Sequence, residues 1–579
     1  MLNLKGFAQE QQPTPAAPQP GPVSFTWGVK IPMRDGVSLN ATLFRPKDSQ
    51  PTPAIFTLTP YIGDSYHARA THFAQHGYAF LLVDCRGRGN SQGEFEPFVS
   101  EGRDGHDLTA WIASQPWCDG QVTMWGGSYA GFNQWMTLKE NPAQLKTIVP
   151  AAAAHAGVDF PFFANIFSTY EIQWQTLTSG VTGNQNLFED RAFWTSVFQE
   201  WYRSQRPFAE LDQVTGNLST VFQKWITHPT PDAYWQQMWL TPAEYQRIEM
   251  PILTITGHYD GDQTGAMHYY RQHMLHGSES GKAKHFLVMG PWDHAGTRTP
   301  NAEFGGLKFG SASLVDLNKL HREWYAWTMQ AGPQPEFLKE RVAYYVMGAD
   351  VWKYAPSLEA IPTQPKPFYL SAPNGQANDV FQAGRLSPEP PQSASKAGYV
   401  YDPLDLRIAD LEKNPIDAYL TDQRFALNLF GAGLVFHSAP FEQPTEITGW
   451  VKLTAWIEMD TPDTDFEVSL GEVLEDGSFI LLTGDLLRAR YRQSLLEEHL
   501  VPAGEILPYT FDKFTFFSRQ IAKNSRLRLV LRALNTISYE KNYNSGGQVA
   551  FEGPAQARTA HVWLHCGPGH ASVLEVPVC

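Results

Sequence analysis

The stretch Gln121-Val-Thr-Met-Trp125-Gly-Gly-Ser128-Tyr-Ala-Gly131-Phe-Asn-Gln-Trp-Met-Thr-Leu138 decides how this chain folds. Its first five residues read as a short buried strand, and AGFNQWMTL reads as a helix that starts at once. Between them Gly126, Gly127, Ala130 and Gly131 are all small. Only small neighbours let a strand and a helix approach so closely around one residue, and such a turn lifts the Ser128 hydroxyl clear of the sheet. It also aims the amide N–H of Tyr129 at the space beside that hydroxyl. The pattern departs from G-x-S-x-G at Ala130, but alanine is small and Gly131 follows. On the motif alone, a Gly/Ser-rich turn that merely joins a strand to a helix reads the same way.

The flanks extend this pattern. Ala54–Thr59 (AIFTLT) and Tyr78–Asp84 (YAFLLVD) are apolar strands, and THFAQHG between them ends in Gly77, a fitting helix C-cap. Upstream, WGVKIPMRDGVSLNATLFRP predicts a hairpin turning at Asp35-Gly36. Over Gly105–Gln115, Leu108, Trp111 and Ile112 share a helical stripe. Strands and helices alternating in this way, with strands apolar throughout, predict a parallel sheet covered on both faces. From about Phe160 to Trp239 the strand pattern gives way to aromatic helices such as RAFWTSVFQEWY and PDAYWQQMW. Strands resume at Ile252–Thr256 and His285–Met289, with a helix near Asp316–Met329, so the aromatic segment reads as an inserted helical cap. Beyond Pro333, alternating strands such as WVKLTAWIEMD predict a β-sandwich or jelly roll. The expected divisions are a disordered Pro/Gln-rich tail (1–22), a sheet domain in two parts (23–150 and 246–335), the cap (151–245) and the β-domain (336–579).

Composition narrows the class. At 579 residues, two or three domains are expected, and 18% charged with 42% hydrophobic residues reads as globular. A net charge of −15 argues against nucleic acid as a partner. No apolar run is long enough to predict a membrane span. Cys85, Cys118, Cys566 and Cys579 form no CxxC or Cys/His spacing, so neither a metal site nor a disulfide framework is expected. The opening MLNLKGFA lacks an apolar core, so no intact signal peptide is expected and cytoplasm is the default, although such tails also follow the cleavage site of some exported proteins. A homo-oligomer is compatible with the sequence.

A serine nucleophile needs a base oriented by an acid. In a sheet of this kind both follow the serine, in the order Ser…Asp/Glu…His, at strand C-termini. Ile252–Thr256 runs into Gly257-His-Tyr-Asp260-Gly-Asp262, and His285–Met289 runs into Gly290-Pro-Trp-Asp-His294. Asp260 is the better acid, just past its strand, while Asp262 is expected to cap the following helix. His294 is preferred as base to His258 and His285, which lie on or against strands. An oxyanion needs more than one donor. No HGGG loop exists, and Pro60 has no amide hydrogen, so the Tyr61 hydroxyl is the candidate partner for the Tyr129 amide; a tyrosine merely finishing a strand is the alternative. The segment Asp84-Cys-Arg-Gly-Arg-Gly-Asn-Ser-Gln-Gly93 lacks the lysine and phasing of a phosphate loop. It reads as structural, with Arg86 paired to Asp84.

Together IPMRDGVSL, TPY, DCRGRGNSQGEF, DGHDLTAWIASQPWCDGQVTMWGGSYAGFNQW, HPTPDAYW, GHYDG, GPWDHAG, YYVMGADVWK and DFEVSLGEVLEDG resemble the family of cocaine-esterase-like and Xaa-Pro dipeptidyl-peptidase hydrolases, which also includes α-amino-acid ester hydrolases. The resemblance runs from about residue 27 to Pro577. It implies an α/β-hydrolase domain with an inserted helical cap and a C-terminal jelly roll. It also implies Ser128 as nucleophile, Asp260 as acid, His294 as base, an oxyanion hole from Tyr61 and Tyr129, and no metal or organic cofactor. α-Amino-acid ester hydrolases hold the substrate amine with a carboxylate cluster. No such cluster can be placed on this sequence, and Ala130 offers no carboxylate beside the serine.

The expectation is a serine hydrolase that cleaves carboxylic esters with an apolar acyl group, working through an acyl-enzyme. Phe162, Phe163, Trp174, Trp194 and Trp239 of the cap could line an apolar pocket or could form the cap's own core. The alternative is an Xaa-Pro dipeptidyl-peptidase using the same triad on short peptides. A third reading, from another class, is a non-catalytic scaffold whose jelly roll binds carbohydrate.

Overall fold

The computed structural model describes residues 21–47, 50–414 and 417–579, so nearly all of the expected tail lies outside the described residues. The chain opens with the predicted hairpin, β1 (Val23–Pro32) against β2 (Ser38–Pro46). Its connection spans Met33–Val37 rather than Asp35-Gly36 alone: Met33 N donates to Val37 O at 2.7 Å, and Gly36 supplies the positive φ of 86°.

Next come β3 (Thr52–Thr59), helix α1 (His67–Gln75), β4 (Ala79–Asp84), α2 (Glu101–Ala113), β5 (Cys118–Met124), β6 (Gly126–Ser128) and α3 (Tyr129–Lys139). The strands β7 (Leu145–Thr147) and β8 (Pro150–Ala153) follow. β3 and β4 pair in parallel, and β4 is buried along its whole length, as strands covered on both faces must be. The sheet has two six-stranded halves. The first runs β1-β2-β4-β3-β5-β7, and the chain crosses at Trp125, between β5 and β6, into the second.

The cap follows β8. It contains a feature the helical reading did not foresee, a two-stranded hairpin of β9 (Phe162–Phe163) and β10 (Ile166–Phe167). Its tip, Ala164-Asn165, has φ of 50° and 64°, the paired positive values that match a tight hairpin's twist. Helix α4 (Tyr170–Thr178) comes next, then further helices including Arg191–Ser204. The sheet resumes with β11 (Ile252–Tyr259) and β12 (His285–Asp293), parallel neighbours in the second half. Val342–Val346 and Val351–Ala355 complete that half at its edge, so the α/β sheet extends past residue 335, where the sequence pattern had placed its end.

Residues from Gln364 onward form the C-terminal domain, a connected 13-stranded β network with the jelly-roll architecture. Along Lys452–Met459, Leu453, Ala455, Ile457 and Met459 are buried and the residues between them are not, which is the predicted alternation. Cys85, Cys118 and Cys566 are buried free thiols and Cys579 is exposed. No helix among the described residues is long and apolar enough to cross a membrane.

The Asp84–Gly93 loop is structural, with different partners from those expected. Arg86 bonds Asp104 at 2.8 Å and Asp35 at 2.9 Å, whereas Asp84 accepts the Gly63 amide at 2.7 Å. Asp84 sits at the end of β4, and its carboxylate is taken up holding the chain that leaves β3. Arg88 is fully buried. Its guanidinium donates to Pro60 O at 2.8 Å and to the carbonyls of Leu177, Ser179, Gly180 and Thr182 at the end of α4.

Candidate active site

Ser128 ends β6 with φ 60° and ψ −128°, a conformation non-glycine residues rarely hold, and α3 begins at the next residue. A strained backbone at the apex of a strand–helix turn keeps the side chain off both elements. Gly126 makes room for Ala130, since a Cβ on Gly126 would stand 2.6 Å from the Ala130 methyl, and Gly131 is needed in its own right. A Cβ on Gly131 would stand 2.9 Å from the Ala151 carbonyl of β8, while the Ala130 methyl fits in the core.

Asp260 lies just past β11 and His294 just past β12, as the strand ends predicted. His294 Nδ1 is 2.8 Å from Asp260 Oδ1. Asp260 is otherwise fixed by the Thr256 hydroxyl at 2.8 Å and the Asp262 amide at 3.0 Å. The rejected histidines are buried on their strands: His258 Nε2 faces Tyr345 O at 2.7 Å, and His285 faces Thr254 and His273. Asp262 occupies the N-cap position of the helix Gln263–His276 but makes no side-chain cap bond. Its Oδ2 instead lies 3.8 Å from His294 Nδ1.

The imidazole's side chain keeps 38% of its surface accessible, through the cavity. Burial lowers the pKa of His294, but Asp262 and the bond to Asp260 outweigh it, leaving the pKa above the ordinary value. Burial also drives Asp262 up, so Asp260, bonded at 2.8 Å, is the steadier source of that stabilisation.

Tyr61 follows β3, with its hydroxyl 3.5 Å from Ser128 Oγ. The Trp174 Nε1 of α4 donates to the same hydroxyl at 3.0 Å. Burial raises the Tyr61 pKa, so the phenol keeps its proton. The Tyr129 hydroxyl donates to Glu101 at 2.6 Å and accepts the Phe98 amide at 2.6 Å. That clamp fixes the first turn of α3 and the amide at its start.

Ser128, Asp260, His294, Tyr61 and Tyr129 all line one cavity of about 600 Å³. Of the cap rings named from sequence, Phe162, Phe163 and Trp174 line it, whereas Trp194 packs inside the cap and Trp239 lies on a neighbouring cavity. The wall also carries Asp159, Glu171 and Asp262, together with Glu467 and Asp485 from the C-terminal domain, and no Lys or Arg among the described residues. The sequence offered no place for a carboxylate cluster, and the fold assembles one here. Asp159, Glu171 and Asp262 come from the cap and a strand-end loop, far apart in sequence, and no local pattern links them. Burial raises all three carboxyls, and Glu171 Oε2 has no hydrogen-bond partner among the described residues.

Two family matches span most of the chain. X-Pro dipeptidyl-peptidase (S15 family) matches residues 35–296, and the X-Pro dipeptidyl-peptidase C-terminal non-catalytic domain matches residues 337–575. Cocaine esterase of Rhodococcus sp. (strain MB1 Bresler) is 28% identical over 589 residues, covering 96% of this chain and 99% of that protein. An α-amino acid ester hydrolase structure superposes with a TM-score of 0.81 at 20% identity, covering 98% of each chain. An aminopeptidase from the marine sediment archaeon Thaumarchaeota archaeon gives 0.80 at 20% identity, covering 99% of each. At those identities the structural likenesses speak to the fold.

Proposed function

Because the chain belongs to the X-Pro dipeptidyl-peptidase (S15) family of serine-hydrolase-type α/β-hydrolases, we propose that Ser128, His294 and Asp260 act as its nucleophile, base and acid, hydrolysing carboxylic esters through an acyl-enzyme. The observation that carries this reading is the 2.8 Å bond between His294 Nδ1 and Asp260, at the cavity that holds the strained Ser128. With Nδ1 committed to Asp260, Nε2 is the nitrogen left to take the Ser128 proton. The Ser128 oxygen then attacks the carbonyl carbon, and the Tyr61 hydroxyl and Tyr129 amide stabilise the tetrahedral oxyanion. Collapse of that intermediate breaks the bond to the alcohol, which leaves with the proton from His294. Water, deprotonated by the same imidazole, attacks the acyl-enzyme and releases the acid. Phe162, Phe163 and Trp174 favour an apolar acyl group.

Stoichiometric labelling by a fluorophosphonate that disappears in Ser128→Ala, with hydrolysis of p-nitrophenyl butyrate, is the expected result. Undiminished labelling of Ser128→Ala would remove the assignment.

The acidic wall favours a second reading for the substrate, an acyl group that carries a free amine. Burial holds Asp159, Glu171 and Asp262 toward their neutral forms, and an ammonium, as an N-terminal dipeptide or an α-amino ester presents, would favour their ionised forms and pair with them. Methyl 2-aminobutyrate and methyl butyrate differ by that amine alone, and Ala-Pro-p-nitroanilide tests the peptide bond. A kcat/KM higher for methyl butyrate than for both amines would keep the simple ester and discard the amine.

A further inference from the structure

Trp174 touches both groups assigned above to the oxyanion. Its Nε1 lies 3.0 Å from the Tyr61 hydroxyl, and its ring stacks on that of Tyr129 with centroids 5.7 Å apart and planes at 23°. An indole N–H can only donate. The Tyr61 oxygen must therefore accept from Trp174, which leaves its own single hydrogen for another partner. Among the described residues that partner is Ser128 Oγ, at 3.5 Å. The contact is long for a ground-state hydrogen bond, as suits a donor aimed at an oxygen that arrives only when Ser128 has attacked.

We propose that Trp174 is a positioning residue of the oxyanion hole, its indole N–H fixing the Tyr61 hydroxyl as a donor directed at the reacting oxygen. The proposal rests on the assignment of Tyr61 as an oxyanion donor. Without the indole, the hydroxyl could swing its hydrogen away from Ser128. With it, one lone pair is engaged, and a hydroxyl that accepts a bond also donates more strongly.

The indole is itself held firmly. Trp174 is 3% exposed, stacks on Phe98 at 6.1 Å and meets Phe160 edge-on at 5.1 Å. Helix α4 is tied at its start by the Thr169 amide to Ser538 O at 3.0 Å, and at its end by Arg88. A cap helix thereby supplies the geometry of a group whose own strand belongs to the α/β sheet.

The test is a double-mutant cycle on p-nitrophenyl butyrate. Trp174→Phe keeps an aromatic ring and removes the N–H. It should lower kcat about five- to tenfold, the worth of one hydrogen bond, with KM little changed. Tyr61→Phe should lower kcat by roughly 10² or more. In the Tyr61→Phe background, Trp174→Phe should do nothing further. Trp174→His, whose imidazole can offer an N–H from the same position, should recover part of the rate lost in Trp174→Phe, which a purely steric role would not.

Three results would overturn the proposal: an unchanged kcat in Trp174→Phe, an equal loss from it with and without the Tyr61 hydroxyl, or no recovery in Trp174→His. An unchanged kcat in Tyr61→Phe alone would overturn the oxyanion assignment beneath it, and the proposal with it. Loss of fluorophosphonate labelling in Ser128→Ala would still stand apart from either result.

Discussion

His294 sits beside two carboxylates that bear on it differently. Asp260 holds the ring at 2.8 Å, while Asp262, 3.8 Å away, contributes through its charge. Together they raise the histidine's pKa, so its protonated form persists to higher pH. A base must be neutral to accept the serine proton. Activity therefore falls as pH drops through that raised value and recovers above it. Asp262 acts in its ionised form, which burial disfavours and the neighbouring imidazolium restores; Asp262→Asn removes that charge, which makes the imidazolium less favourable and lowers its pKa. The acid limb of kcat/KM should move to lower pH by about one unit. A pH–rate profile whose acid limb stays in place, or moves upward, would show that Asp262 does not act on the base. At this scale the sequence was legible where chemistry sits at a strand end. Ser128, Asp260 and His294 each follow a short apolar run, so local pattern placed them at the strand ends where the structure has them. Asp159 and Glu171 reach the cavity only because the cap folds over it, and nothing in their neighbours marks them; Trp174 was legible as a ring for the pocket but not as a partner of Tyr61.

Helix α4 shows how an element is held where chemistry needs it. The last carbonyls of a helix have no partners within it and must find donors elsewhere. Here Arg88 supplies one at Leu177 and goes on to Ser179, Gly180 and Thr182 just past the helix, and its Nε reaches back to Pro60, the residue before Tyr61. One buried side chain thus ties the chain carrying Tyr61 to the helix carrying Trp174. Arg88→Lys keeps the charge but offers three donors in a different geometry, leaving buried carbonyls unsatisfied. It should cost about 2–4 kcal/mol of stability and reduce kcat as the Trp174–Tyr61 contact loosens. Urea unfolding followed alongside ester hydrolysis checks both, and a variant as stable and as fast as the parent would refute the coupling. From sequence this loop already read as structural. Which arginine mattered did not show, because its acceptors lie some ninety residues away at the end of a cap helix.

The whole molecule closes around the cavity through a buried ionic cluster. Arg488 of the C-terminal domain forks onto Asp465, with both contacts at 2.8 Å, and reaches Glu540 at 2.9 Å and the Asn165 carbonyl at 2.9 Å. Asn165 is at the tip of the β9–β10 hairpin, whose Phe162 and Phe163 line the cavity. The hairpin's left-handed Ala164-Asn165 turn is unfavourable for alanine and is held from outside, by Arg488 and by the Asn165 side chain bonding Leu495 O at 2.7 Å. Glu540 adds two more bonds, accepting the Phe167 amide at 3.1 Å and donating its own amide to Phe167 O at 2.9 Å. The order of domains was legible in the sequence from its changing hydrophobic period. This staple was not, since its charged residues look on paper like ordinary strand surface. If the staple couples the domains, heating should unfold the α/β domain and the C-terminal domain in one calorimetric transition. Arg488→Met leaves Asp465 and Glu540 buried without their cation, a loss of about 3–5 kcal/mol. It should lower the melting temperature and split that transition in two, with activity lost in the first as the hairpin leaves the cavity wall. Two separate transitions in the parent protein, or a single undiminished one in Arg488→Met, would show that the C-terminal domain rests against the catalytic half without supporting it.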